Sequence, residues 1–126
     1  MPVQVPQVRI LVVDDDKAIC EYVQTVLEKD GFSVKTLTNP LLAEEEVRHG
    51  DFHLILLDLM MPIMDGFAVL AKVKEDPTLR DTPVIIVSAE NDSKSVVKGI
   101  KQGAEDYLTK PVDTAQFLRK VKDFLG

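Results

Sequence analysis

Residues 53–66 read His-Leu-Ile-Leu-Leu-Asp-Leu-Met-Met-Pro-Ile-Met-Asp-Gly. Their pattern decides how the rest of the chain is read. Leu54 to Leu57 form an apolar run too short for a helix, the signature of a strand buried on both faces of a parallel sheet. A single carboxylate, Asp58, follows at the carboxyl end of that strand. A loop with turn residues Pro62 and Gly66 comes next. In open α/β sheets, ligands bind outside the carboxyl ends of the strands. Asp58 is therefore the first candidate for a reacting group.

Working outward, the same syntax recurs. Val8 to Val13 is a second apolar, β-branched run, and it too ends in acid, at Asp14, Asp15 and Asp16. Ile19, Tyr22, Val23, Val26 and Leu27 then fall at i, i+3, i+4, i+7 and i+8, predicting an amphipathic helix that ends at Gly31. Phe32 to Leu37 alternates as a strand. Asn39-Pro40 opens a second helix, with a cap residue followed by proline at the first position, and His49-Gly50 closes it. Beyond the central strand, Asp65 caps a helix whose buried face is expected to include Phe67, Leu70 and Ala71. Glu75-Asp76-Pro77 ends that helix, and Pro83 to Ser88 is a fourth strand. Asn91 or Asp92 caps a helix running to about Gly103, and Asp106 to Thr109 is a brief fifth strand leading into Lys110-Pro111. Asp113 with Gln116 resembles a capping box for the last helix, with Val112 packing on Phe117. Phe117, Val121 and Phe124 or Leu125 are expected to face the core.

Five strands alternate with five helices, without repeats. This (βα)5 pattern predicts a doubly wound α/β fold with right-handed crossovers and helices on both faces of a parallel sheet. In the flavodoxin-like order 2-1-3-4-5, the first and third strands lie side by side at the switch point. That order brings Asp14, Asp15 and Asp58 together.

The remaining bounds agree. At 126 residues, 45% hydrophobic and 29% charged, the chain is expected to be one domain, 1–126, with 1–7 as a loose lead-in. The net charge of −6 disfavours direct nucleic-acid binding, which depends on Lys and Arg neutralising phosphates. No apolar run approaches the roughly 20 residues of a membrane span, and no secretory signal is evident. With a single cysteine, Cys20, the expectation is a cytoplasmic protein. Cys20 reads as a small helix residue, His49 and His53 as surface residues, and Asp16 as a helix cap.

Carboxylates gathered this closely repel one another and need a positive answer. Lys110, at the end of the fifth strand, is one. Mg2+ is another, since it prefers oxygen ligands, takes one or two carboxylates and keeps several waters. An open Mg2+ site suits phosphoryl transfer, in which positioning and charge neutralisation do most of the catalysis.

Four stretches carry a resemblance: ILVVDD at 10–15, LLDLMMPIMDG at 56–66, VIIVSA at 84–89 and GAEDYLTKP at 103–111. In this order and spacing they resemble the receiver domain of bacterial two-component response regulators, including the single-domain chemotaxis type, over roughly Val8 to Leu125. The resemblance implies that Asp58 is the phosphoacceptor, supplied by a sensor histidine kinase or a phosphotransfer protein. It implies direct Mg2+ ligation by Asp15, Asp58 and the backbone carbonyl of Met60, with Asp14 acting through water. Ser88 would take the switch-hydroxyl position, Lys110 would pair with a phosphoryl oxygen, and Tyr107 would be the switch aromatic. The Lys110-Pro111 bond would be cis. The surface of the fourth helix, fifth strand and fifth helix would differ between states, controlling a partner or a fused output domain. Dimerisation on phosphorylation is left open. Met60 and Glu90 would flank the path of the hydrolytic water. Because a thioether orients water poorly, the phosphorylated state would outlast that of a receiver carrying Asn at the Met60 position.

The competing class is a true enzyme, a metal-dependent phosphatase or a flavin protein. A flavin or nucleotide site would want a Gly- or Ser/Thr-rich loop after the first strand, where this chain has Asp14-Asp15-Asp16-Lys17. A phosphatase on a related sheet commonly carries a second acid two residues past its nucleophile, where Met60 stands. The expectation is a regulator that assists its own phosphorylation and dephosphorylation, not an enzyme. With Gly126 just past the last helix, a natural single-domain regulator and a receiver excised from a longer chain both remain open.

Overall fold

The computed structural model describes residues 8–59, 61, 65–89 and 93–125. Strands β1 (Arg9–Val13), β2 (Ser33–Leu37), β3 (Leu54–Leu57), β4 (Val84–Ala89) and β5 (Asp106–Lys110) alternate with helices α1 (Lys17–Lys29), α2 (Ala43–Gly50), α3 (Gly66–Glu75), α4 (Ser93–Lys101) and α5 (Thr114–Leu125). All strand pairs are parallel, in the order β2-β1-β3-β4-β5. The expected doubly wound architecture is the observed one.

Strand alternation divides the core into two layers, because successive side chains point to opposite faces of a sheet. Ile10, Val12, Leu54, Leu56, Ile85, Val87 and Leu108 face α1 and α5, where Cys20, Val23, Leu27, Phe117 and Val121 meet them. Leu11, Val13, Ile55, Leu57, Val84 and Ile86 face the other way, onto Ala43 and Val47 of α2 and Val69, Leu70 and Val73 of α3. β3 is buried at all four positions, as a central parallel strand covered on both sides must be.

Helix ends follow local chemistry. Asp16 caps α1 by accepting from the amides of Ala18 and Ile19. Asp65 caps α3 through the Ala68 amide. Asp113 accepts from the Gln116 amide at the start of α5. At the other end of α1, Gly31 has φ of 95°. The amide of Gly31 donates to Glu28 O and that of Phe32 to Leu27 O. This paired closure uses a left-handed residue that glycine adopts without a Cβ penalty.

Several local expectations are corrected. Tyr22 does not join the buried stripe of α1. It is 40% exposed, and its hydroxyl is hydrogen-bonded to Thr114 Oγ1, while Cys20 takes the core position. The chain at Asn39-Pro40 enters a 3-10 turn, Pro40–Leu42, before α2 begins. The buried side of α3 is Gly66, Val69, Leu70 and Val73. Phe67 packs only partly against it, beneath Lys98 Nζ at 4.3 Å from the ring centroid, and Ala71 is half-buried. The cap expected at Asn91 or Asp92 lies outside the described residues.

Candidate functional site

Register places the acids. Val13 of β1 pairs with Leu57 of β3, so the next residues, Asp14 and Asp58, leave the sheet side by side. The Asp14 amide donates to Leu37 O of β2 at 3.1 Å, and the Asp58 amide donates to Val13 O at 2.9 Å. Both carboxylates sit at the surface of the core, 2% and 5% exposed, and Asp15 is exposed beside them. Ligand oxygens of Asp14, Asp15 and Asp58 lie within 4.8 Å of one another.

A cation answers them. Lys110, the last residue of β5, places Nζ 2.9 Å from Asp14 Oδ2 and 3.4 Å from Asp58 Oδ2. Burial disfavours its charge, but the hydrogen bonds and negative charges of Asp14 and Asp58 outweigh that cost. The ammonium therefore keeps its proton above the usual lysine range. The Lys110-Pro111 bond is cis.

Ser88 is 1% exposed. Leu57 pairs with Ile86, so Ser88 stands two residues further along β4, at the same end of the sheet as Asp58. Tyr107 lies on β5 with its side chain partly in solvent. Met60, whose carbonyl completes the predicted ligand set, and Glu90 both lie outside the described residues.

Three supporting contacts had no signal in the sequence. Cys20 donates its thiol to Asp14 O at 3.3 Å. Burial and the charges of Asp14 and Asp16 push that thiol up to about 11, so it is an inert prop. The amide of Asp16 donates to Asp14 Oδ1 at 2.9 Å. Gly66, legible only as a turn residue, abuts the site directly. A Cβ there would stand 2.3 Å from Asp58 O and 2.6 Å from Leu59 Cα.

Chemically, this is an all-oxygen pocket with one fixed ammonium. Oxygen donors suit a hard cation such as Mg2+, and the buried charges of Asp14 and Asp58 favour neutralisation by one. Asp14 engages Lys110 and the Asp16 amide, and Asp58 shares the same ammonium.

Residues 10–122 match the family model for the response regulator receiver domain. The chain is 38% identical over 119 residues to the transcriptional regulatory protein CseB of Streptomyces coelicolor, covering 94% of this chain and 50% of the relative. It is also 38% identical over 114 residues to the response regulator PleD of Caulobacter vibrioides, covering 90% of this chain and 25% of PleD. The chain thus spans half or less of the length of these relatives. Among solved structures, the chemotaxis protein CheY4 of Vibrio cholerae superposes with a TM-score of 0.88 at 25% identity, covering 94% of this chain and 99% of that one. A CheY-like receiver domain protein from Methanospirillum hungatei gives 0.87 at 29% identity, covering 94% and 93%.

Proposed function

The chain belongs to the response regulator receiver domain family, and on that premise we propose that it is the phosphoacceptor module of a two-component or phosphorelay system, with Asp58 as the residue modified. The observation that carries this reading is the contact of Lys110 with both Asp14 and Asp58 inside a three-carboxylate cluster.

An Asp58 oxygen attacks the phosphorus of a phosphohistidine on a histidine kinase or phosphotransfer protein. The new O–P bond forms as the P–N bond breaks, and the imidazole leaves with a proton. Lys110 neutralises charge on the transferring group. Asp15 and Asp58, with Asp14 beside them, would hold Mg2+, which would supply further charge neutralisation at the site. The Ser88 hydroxyl then donates to a phosphoryl oxygen, drawing β4 toward Asp58. Tyr107 turns inward, and the face formed by α4, β5 and α5 changes for a partner or an attached output domain. Differential contacts to the phosphoryl group bias two pre-existing conformations. The same residues assist both acquisition and loss of the phosphoryl group. The chain acts as one receiver unit in the cytoplasm; among the described residues no helix is long and apolar enough to cross a membrane.

Incubation with phosphoramidate, a small phosphodonor, tests this by intact mass. One phosphoryl unit is expected on the wild type in Mg2+, and none on Asp58→Asn or in EDTA. Labelling of Asp58→Asn to the same extent would overturn the assignment.

A further inference from the structure

Tyr107 stands 44% exposed on β5, at the edge of a groove of about 470 Å³ between α4 and β5. Ser88, Val96, Val97, Ile100 and Thr109 line that groove with it. A cation on α5 lies against the ring. Lys120 Nζ lies 5.0 Å from the Tyr107 ring centroid. It also donates to Tyr107 O at 2.7 Å and to Asp106 Oδ1 at 3.2 Å.

We propose that Lys120 is a latch: a positioning residue that holds Tyr107 outward and so sets how readily modification of Asp58 throws the switch. The inference rests on the phosphoacceptor reading of the site and adds to it a residue that governs the balance of states. The two hydrogen bonds go to groups fixed in the strand, a backbone carbonyl and the neighbouring carboxylate. They pin the ammonium in place whatever the ring does. The ring contact is different, because it exists only while the ring is out. An ammonium within about 6 Å of an aromatic face is attracted to it. Lys120 takes no part in lining the groove, so a ring turned into the groove leaves that attraction behind. Lys120 therefore stabilises one state and not the other, which is the requirement for biasing an equilibrium. At an exposed site the attraction amounts to a bias of about two- to fivefold. When the unswitched state dominates, removing the latch raises the apparent affinity of a ligand for the switched state by up to the same factor.

The test uses beryllofluoride, a phosphoryl mimic, titrated calorimetrically in Mg2+. Lys120→Met keeps the length of the stem and removes the charge, and it should bind the mimic about two- to fivefold more tightly than wild type. Lys120→Arg, which keeps a cation over the ring, should bind like wild type. In a Tyr107→Leu background the Lys120 substitution should have no effect. A merely structural role for Lys120 would persist in that background. Unchanged or weaker binding by Lys120→Met, or an effect that survives Tyr107→Leu, overturns the latch. If the wild type does not bind the mimic, the phosphoacceptor reading fails instead. The latch is then read by NMR in the unmodified protein: the Lys120 ε-methylene protons should be shifted upfield by the ring, and Tyr107→Leu should abolish the shift. Absence of that shift in the wild type overturns the latch by itself.

Discussion

Replacing Asp58 by Asn removes one negative charge from a cluster whose ligand oxygens lie within 4.8 Å, and its effect on stability can be worked from the geometry. At an effective dielectric near 20, a like-charge pair at that separation costs about 3.5 kcal/mol. The Lys110–Asp58 pair at 3.4 Å returns about 5 kcal/mol on the same scale. Asp14 contributes one full repulsion, and the exposed Asp15 contributes one that solvent cuts to about half. These Coulomb contributions nearly cancel. The larger difference between the two side chains is the cost of keeping a carboxylate that is 5% exposed out of water. That cost reaches several kcal/mol for a buried ion, and about 2 kcal/mol survives once the buried amide of Asn is counted. For a domain of this size, that corresponds to a melting temperature higher by about 6–10 °C in EDTA. Mg2+ at ten times its dissociation constant should stabilise the wild type by about 1.4 kcal/mol through mass action, and Asp58→Asn by clearly less. Thermal melts of both proteins in EDTA and in Mg2+ read all four values. An Asp58→Asn protein no more stable than wild type in EDTA, with the same gain from Mg2+, would refute the electrostatic argument.

Lys110→Met leaves Asp14, at 2% exposure, without the ammonium now 2.9 Å away. Melts in EDTA should show a loss of about 2–3 kcal/mol, a larger gain from Mg2+ than in wild type, and phosphorylation slowed by about two orders of magnitude. In alkali, Cys20 sets a window. Its thiol is raised from 9.0 to about 11 in the fold, so its contribution is complete below pH 9.0 and disappears as pH climbs through about 11, by up to about 2–3 kcal/mol. Lys110, also raised, acts in the same direction. Urea titrations across this range should show a steeper loss for wild type than for Cys20→Ala, and equal slopes would contradict it. Gly66→Ala must displace the backbone of Asp58 or Leu59, at a cost of about 1–3 kcal/mol. Circular dichroism should report a retained fold, while phosphoramidate labelling slows relative to wild type.

Much of the fold was legible because parallel strands buried on both faces leave a strong trace. Leu54–Leu57 was delimited residue by residue, and the acids at the ends of β1 and β3 pointed to the cluster that the fold brings together. Capping residues Asp16, Asp65 and Asp113 were equally readable, since each acts on amides two or three residues away. Errors arose where tertiary contact overrides local pattern. Two helical stripes can be drawn through α1 that share Val23 and Leu27, and periodicity alone chose the one containing Tyr22. The tyrosine hydroxyl instead finds Thr114, far along the chain, and the small Cys20 fills the core. The same reason hid Lys120, whose partners Asp106 and Tyr107 lie on a different element. Gly66 looked like a turn residue because nothing local shows how closely Asp58 O approaches it.

The structure of the protein with Mg2+ and beryllofluoride bound tests the central claim most directly. The account predicts beryllium bonded to an Asp58 oxygen, the ion held by Asp15 and Asp58, and fluorine atoms contacted by Ser88 Oγ and Lys110 Nζ. A mimic bound at another residue, or bound at Asp58 with Lys110 and Ser88 both out of reach, would contradict it.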